Sequence, residues 1–146
     1  MEIDEFNSKV SASAAKHPRL LALERHRAAT EDMISRVEDY YQMPLPKPYK
    51  QFVQCYGGGY FGFVLVFSCD AEGGFYLPNH ADKDWVAKHA FLPVIDLETG
   101  DFGGFPIQEG IAQNTVAWYD HEEEAWREAD VDFFEILLQL GLKVSQ

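Results

Sequence analysis

The residues of this chain that are best suited to chemistry are carboxylates, and their excess charge is concentrated in one segment. Residues 91–142 contain twelve acidic residues and one basic residue, Arg127, and so carry a net charge of −11. Residues 1–90 contain twelve acidic and ten basic residues, a net charge of −2. Neighbouring carboxylates can act as general acids and bases, but a solvated acidic face explains them without catalysis.

The formal net charge of −12 over 146 residues restricts the kinds of partner. A field of this sign repels nucleic acids and anionic membranes and attracts basic proteins. We therefore predict no nucleic-acid partner and no membrane partner. Two explanations of the charge stay open, solubility alone and an acidic surface that binds a basic protein. The concentration of the charge in one segment supports the second.

The five histidines match none of the common metal-binding or deaminase motifs. His80 and His89, together with Asp82 and Asp84, are the candidate metal ligands, and their spacing fits no known pattern. We predict no metal site. His121 lies among acidic residues, where we expect a raised pKa and a surface role rather than catalysis.

The two cysteines also indicate no enzyme. Cys55 and Cys69 are too few for the disulfide framework of a secreted domain, and we expect two buried free thiols. The nucleophile motif G-x-S-x-G is absent from the sequence. We predict a protein without catalytic residues and without a cofactor.

Three consecutive glycines, Gly57, Gly58 and Gly59, raise the question of a phosphate-binding loop. They follow an apolar stripe of helical spacing that includes Tyr49 and Phe52, and Leu45-Pro46 precedes the stripe. A phosphate loop has its glycines before a helix, where N–H groups and the positive end of the dipole face the anion. Here the glycines come after a helix, so we predict that they only end it and turn the chain.

The remaining patterns predict an α+β fold in a single domain. Ile3, Phe6 and Val10 indicate a first helix that ends at His17-Pro18, and Leu20, Leu21 and Leu23 a short turn after it. Thr30 and Asp130 are predicted to cap a second and a closing helix. Between these helices we predict short, largely antiparallel strands at 63–67, 75–77, 91–95, 105–107 and 115–119, with turns at 99–104 and 120–124.

No apolar run approaches the length of roughly 20 residues that spans a bilayer. The first residues are acidic and lack the basic and apolar zones of a signal peptide. We therefore expect a cytoplasmic protein.

Three further segments follow one another in the chain. They are Ile34…Val37-Glu38…Leu45-Pro46-x-x-Tyr49-Lys50-x-Phe52-Val53 with the glycines and Phe61-Gly62, then Phe91-Leu92-Pro93-Val94-Ile95…Thr99-Gly100-Asp101-Phe102-Gly103-Gly104, then Val116-Ala-Trp-Tyr-Asp-His121 with Ala129-Asp130…Phe133. In this order the three segments resemble the SUKH superfamily of immunity proteins, which is named partly after a yeast cell-wall-synthesis regulator. The resemblance implies a SUKH-like domain over residues 30–146, and residues 1–29 form a helical extension of the same globular unit. Gly57 stands where the family often has Asn.

The resemblance also implies a bacterial immunity protein that binds and neutralises a cognate polymorphic or contact-delivered toxin. A nuclease fits best, because a phosphate-binding enzyme tends to be basic. The candidate toxin-binding residues are Glu98, Asp101, Asp120, Glu122, Glu123, Glu124 and the apolar anchor Trp126. Trp118 and Tyr119 are further candidate anchors; core packing is the alternative role for all three aromatic residues, and we favour it for Trp118. Two other functions stay open, a regulatory or scaffold protein with an endogenous partner and a small-molecule module near Tyr60, Phe61 and Tyr76.

Overall fold

A computed structural model of the chain describes residues 1–21 and 25–144. The helices in this part of the chain are α1 (Ile3–Lys16), α2 (Glu31–Tyr41), α3 (Lys47–Tyr56), α4 (Leu77–His80), α5 (Lys83–His89) and α6 (Phe133–Ile136). A 3₁₀ turn, Pro18–Leu21, follows α1, and a wider π-helical segment, Leu137–Gly141, continues α6. The predicted position of Leu23 lies outside the described residues.

The strands are β1 (Gly59–Phe61), β2 (Val64–Val66), β3 (Phe91–Asp96), β4 (Phe102–Gln108), β5 (Ile111–Ala112), β6 (Ala117–Asp120) and β7 (Ala125–Glu128). They form one antiparallel sheet in the order β1-β2-β3-β4-β6-β7, and β5 pairs with the far end of β4. The predicted α+β class with a largely antiparallel sheet is therefore confirmed.

Three of the hairpin tips lie at the same end of this sheet. The pairings Leu65↔Asp96 and Phe102↔Tyr119 place the start of β2 beside the end of β3, and the start of β4 beside the end of β6. We call this region the hairpin end, and it comprises residues 62–63, 97–101 and 121–124. The tip between β4 and β5 lies at the opposite end of β4.

The main core lies between the helices and one face of the sheet. Phe6 of α1 has no exposed surface and contacts Phe52, Phe61 and Phe134 through its ring. Tyr49 is also fully buried, and its hydroxyl donates a hydrogen bond of 2.7 Å to the carbonyl oxygen of Phe67. Burial of these aromatic side chains joins α1 and α3 to the sheet and to the closing helix.

A smaller cluster of Phe91, Ala117 and Tyr119 occupies the other face of the sheet. Trp85 of α5 packs against it and lies edge-on to Tyr119, with ring centroids 5.3 Å apart. Asp82 caps α5 by accepting a hydrogen bond from the backbone N–H of Trp85. The cap and the indole together hold this short helix on the sheet.

The glycine run ends α3 as predicted, and it also lets the segment around His26 approach the end of α3 closely. Gly57 has φ +81°, and its N–H donates to the carbonyl oxygen of Val53. A Cβ at Gly57 would overlap the backbone carbonyl oxygen of His26. The backbone N–H of His26 in turn donates a hydrogen bond of 3.0 Å to the carbonyl oxygen of Gly58. Glycine is thus needed here both for its backbone angle and for close approach.

The segment beside the glycines is held by an ion pair. Arg27 donates from Nη2 to Asp70 Oδ1 at 2.8 Å and from Nε to Asp70 Oδ2 at 3.1 Å. Asp70 is 5% exposed, and the hydrogen bonds from Arg27 lower its pKa to about 2. The bidentate pair fixes residues 25–29 over β1 and the loop that follows β2.

Several local predictions were wrong. Residues 75–77 form no strand, because Tyr76 makes only an isolated bridge to Ser68 and Leu77 begins α4. Asp132 rather than Asp130 caps the closing helix, through a hydrogen bond from the backbone N–H of Glu135. Cys69 is buried as predicted, but Cys55 is exposed.

Two predicted boundaries also differ from those of the structure. The turn before β4 ends at residue 101, because Phe102 already pairs with Asp96. Phe63 does not lie in a buried strand, since β2 begins at Val64 and the Phe63 side chain is exposed. Thr30 caps α2 as predicted, through a hydrogen bond from the N–H of Met33.

Within residues 1–21 and 25–144, none of the helices has both the length and the apolar character that crossing a membrane requires.

Candidate functional site

The tips of the β3–β4 and β6–β7 hairpins are joined at the hairpin end. Asp101 Oδ1 accepts a hydrogen bond of 3.0 Å from the backbone N–H of His121 and lies 2.6 Å from His121 Nδ1. Gly100, at φ +98°, lies under the imidazole, and a Cβ there would be 2.9 Å from ring atoms. These contacts fix the acidic residues of one tip against those of the other.

The same contact shifts the two pKa values in opposite directions. The pKa of Asp101 is lowered, first by the hydrogen bond from the His121 backbone and then by that from the ring. The pKa of His121 is raised above 6.5, mainly because its ring hydrogen-bonds to Asp101. The predicted raised pKa of His121 is therefore confirmed, with a partner that sequence spacing did not identify.

Each of the two tips is shaped by an aspartate at the end of a strand. Asp96 Oδ1 accepts a hydrogen bond of 2.7 Å from the N–H of Glu98, and Asp120 Oδ1 accepts one of 2.8 Å from the N–H of Glu122. Asp120 also accepts from the N–H of Glu123 at 3.3 Å. Such local bonds from aspartate to the backbone two residues on stabilise tight turns.

The predicted acidic residues therefore divide by role. Asp101 and Asp120 are half-buried and are engaged in holding the tips, whereas the four glutamates are exposed. Within the described part of the chain, no hydrogen bond or ion pair occupies the side chains of Glu98, Glu122, Glu123 and Glu124. Their carboxylates are directed to solvent and are the ones available to an incoming partner.

A depression of about 190 Å³ lies beside the joined tips. Its apolar walls come from Leu97, Trp118 and Trp126, and its polar rim includes Asp101, Asp120, Glu123 and Arg127. Trp118 is half-buried and packs against the main core, as its predicted core role requires. Trp126 is also half-buried and packs against the smaller cluster, next to its cross-strand neighbour Tyr119.

Among the described residues, one group of three side chains has the separation that a metal ion requires. Asp101, Asp120 and His121 each offer a ligand atom, and these atoms lie within 4.8 Å of one another. The set considered from sequence is arranged differently: His80 Nε2 contacts the Gly74 carbonyl oxygen, and His89 Nδ1 contacts that of Trp85. The absence of a resident metal stays a prediction.

Sequence reasoning missed Phe63, Leu140 and Lys143, which lie beside the predicted residues. They line a second depression of about 270 Å³ together with Leu97 and Glu98. Phe63 belongs to a continuous apolar run, and this pattern predicts a strand. A turn signal was present in the preceding Gly62, which takes φ +62°.

Comparison with known families identifies the family of the chain. A family model described as SUKH_6, SMI1-KNR4 cell-wall, matches residues 31–137, which is more than half of the sequence. The chain belongs to this family, and the resemblance seen in the sequence motifs is confirmed. The match begins at the first residue of α2 and ends within the closing helix. No curated protein matches the chain significantly.

Proposed function

We propose that this chain is a bacterial immunity protein that acts in the cytoplasm by binding a cognate toxin and blocking its activity. Family membership supports an immunity-type, non-enzymatic role. The observation that carries the proposal is the junction of two acidic hairpin tips through Asp101 and His121. This junction holds the exposed glutamates of both tips at the same end of the sheet.

The charge of this surface favours a basic toxin, and a nuclease in particular. A nuclease binds phosphates with basic side chains, and exposed carboxylates can occupy the same positions. The four exposed glutamates at the hairpin end are suited to this contact. Opposite charges on the two surfaces accelerate association and orient the partners before they touch.

Affinity requires apolar contacts in addition to charge, because exposed ion pairs contribute little each. Trp126, which we predict as an anchor, lines the depression beside the tips and retains part of its exposed surface.

We further propose that the SUKH-like domain is residues 30–146 and that residues 1–29 extend it. Burial of Phe6 among Phe52, Phe61 and Phe134 supports one globular unit.

One alternative has a specific observation in its favour. The matching family is described by a cell-wall protein, which favours a regulatory or scaffold protein with an endogenous partner. The small-molecule alternative has less support, because Phe61, one of its three expected cleft residues, is only 1% exposed.

The test is binding and protection with the protein encoded by the gene adjacent to this one. The purified chain should form a 1:1 complex with that protein, inhibit its activity in vitro and protect cells that express it. A matched control is an unrelated acidic protein of the same net charge, which should do none of these. Absence of both binding and protection would reject immunity and favour the scaffold alternative.

A further inference from the structure

Phe63 is the most exposed large hydrophobic residue in the described part of the chain, with 64% of its surface accessible. It lies on the tip between β1 and β2, at the hairpin end. Its backbone N–H donates a hydrogen bond of 2.9 Å to the Gly141 carbonyl oxygen, and Gly62 packs so tightly on Gly141 that a Cβ there would overlap this oxygen. The exposed ring is therefore held on an anchored tip.

An apolar groove extends from this ring towards the acidic residues. Phe63, Leu97 and Leu140 form its apolar surface, with Asp96, Glu98 and Lys143 around them. Leu97 also lines the depression that contains Trp118 and Trp126. The groove and the acidic surface of the proposed function are thus continuous through one shared residue.

We propose that Phe63 is an apolar anchor of the partner interface, and that the groove receives an apolar side chain from a basic protein surface. Glu98 and Asp96 at its edge fit the lysine or arginine residues that flank such a side chain. This inference rests on the proposed function and adds a contact residue to it. A second copy of the chain fits poorly, because each copy carries a net charge of −12.

Exposure distinguishes Phe63 from Trp126 as an anchor. Trp126 already buries part of its indole against the cluster of Tyr119, so it has less apolar surface left to bury on binding. Phe63 exposes most of its ring, and its tip is already ordered by Gly141. A large area and a small ordering cost are the properties of a residue that dominates binding.

Lys143 provides an internal check on the charge of the partner. Its ammonium lies 5.4 Å from the centroid of the Phe63 ring, where it is a positive charge beside the groove. A basic partner must approach this charge. Replacing Lys143 with Ala should therefore accelerate association, whereas replacing Phe63 with Ala should weaken the complex.

The experiment measures the Kd and the association rate of the adjacent gene's product for wild type, Phe63→Ala, Lys143→Ala and Ile111→Ala. Ile111 is the matched control, because it is 51% exposed at the opposite end of β4. We expect Phe63→Ala to raise Kd about thirtyfold or more, Ile111→Ala to change it by less than about twofold, and Lys143→Ala to increase the association rate. Thermal unfolding of each variant establishes that the fold is retained.

The outcomes separate this inference from the function on which it rests. If wild type binds and Phe63→Ala binds equally well, the anchor is rejected and the immunity function stands. Slower association of Lys143→Ala would reject a basic occupant of the groove. If wild type is a dimer that Phe63→Ala dissociates, the groove belongs to a second copy and the inference is overturned. Failure of wild type both to bind and to protect cells rejects both proposals.

Discussion

Asp101 and His121, twenty positions apart in the chain, are held with a carboxylate oxygen 2.6 Å from a ring nitrogen. The two residues belong to separate hairpins, and the contact also uses the backbone N–H of His121. The contact between Asp101 and His121 therefore pairs two charged groups and also sets the distance between the two acidic tips. Trp126 and the acidic residues proposed to contact the toxin lie on these tips or on the strands directly beside them, and Phe63 lies on the third tip of the hairpin end.

This pair has a measurable pKa signature. Replacing Asp101 with Asn should lower the pKa of His121 towards 6.5, because the hydrogen bond from its ring to the carboxylate is the main cause of the raised value. Titration of the His121 ring by NMR measures this. Glu122→Gln is the control and should have a smaller effect, since Glu122 acts only through its charge.

The pair should also make stability depend on pH. The contribution of His121 is complete below its ordinary pKa of 6.5 and is lost as the pH rises through the higher value of the folded state. The contribution of Asp101 is present above its ordinary 3.8 and is lost as the pH falls. Urea unfolding from pH 3 to 9 should show that the stability advantage of wild type over the double variant Asp101→Asn, His121→Ala becomes smaller at both ends of this range. Parallel curves would contradict the pair.

Reversal of charge at the tips should slow association without unfolding the protein. Changing Glu98, Glu122, Glu123 and Glu124 to Lys removes the exposed carboxylates, and surface changes usually alter stability by no more than about 0.5 kcal/mol each. We expect the association rate with the adjacent gene's product to fall and to lose its decrease with salt, because exposed charges are screened beyond about 8 Å at physiological ionic strength. Stopped-flow measurements at low and high salt test this, with Glu109, at the opposite end of β4, changed to Lys as the control.

Substitution of Gly57 separates backbone strain from close approach. Gly57→Ala combines a positive φ with an overlap on the His26 carbonyl, and we expect it to cost more than about 2 kcal/mol of unfolding free energy. Gly110→Ala has the positive φ with open space, and should cost about 1 kcal/mol. Gly74→Ala has neither constraint and should be within about 0.5 kcal/mol of wild type. Equal effects of the first two would show that approach of residues 25–29 is unimportant.

The ion pair between Arg27 and Asp70 should resist mild acid. The Asp70 pKa of about 2 lies below its ordinary 3.8, so its contribution is present above 3.8 and is lost as the pH falls towards 2. Because Arg27 is itself 62% exposed, we expect Asp70→Asn to cost only about 1 to 2 kcal/mol at neutral pH. The difference from wild type should shrink in acid. Glu72→Gln, whose carboxylate is 82% exposed, should leave unfolding almost unchanged.

Replacement of Phe6 tests whether α1 belongs to the core. Phe6→Ala should cost about 3 to 5 kcal/mol, because it leaves a cavity among Phe52, Phe61 and Phe134. Ser8→Ala on the exposed side of α1 is the control and should change little. Denaturant unfolding measures both. A small effect of Phe6→Ala would contradict the inclusion of α1 in the core.

Local patterns in the sequence were sufficient where one segment supplies both partners of an interaction. Thr30 caps α2 through Met33, three residues away, and the stripe of Tyr49 and Phe52 faces the core because helical spacing places both on one side. The prediction failed where two nearby residues were equivalent by pattern. Asp130 and Asp132 both precede the closing helix. A contact between distant parts of the chain distinguishes them, because the N-terminal ammonium of Met1 pairs with Asp132.

The family, the α+β class and the concentration of acidic residues in residues 91–142 follow from the amino-acid sequence alone, since motifs, periodicity and charge are properties of the chain. Which acidic residues come into contact depends on the strand pairing. Asp101 reaches His121 only because β6 rather than β5 lies beside the first half of β4, and this pairing joins segments that sequence periodicity treats separately. Phe63 is exposed because β2 begins at Val64, one residue later than the apolar run predicts, which leaves the Phe63 ring outside the core.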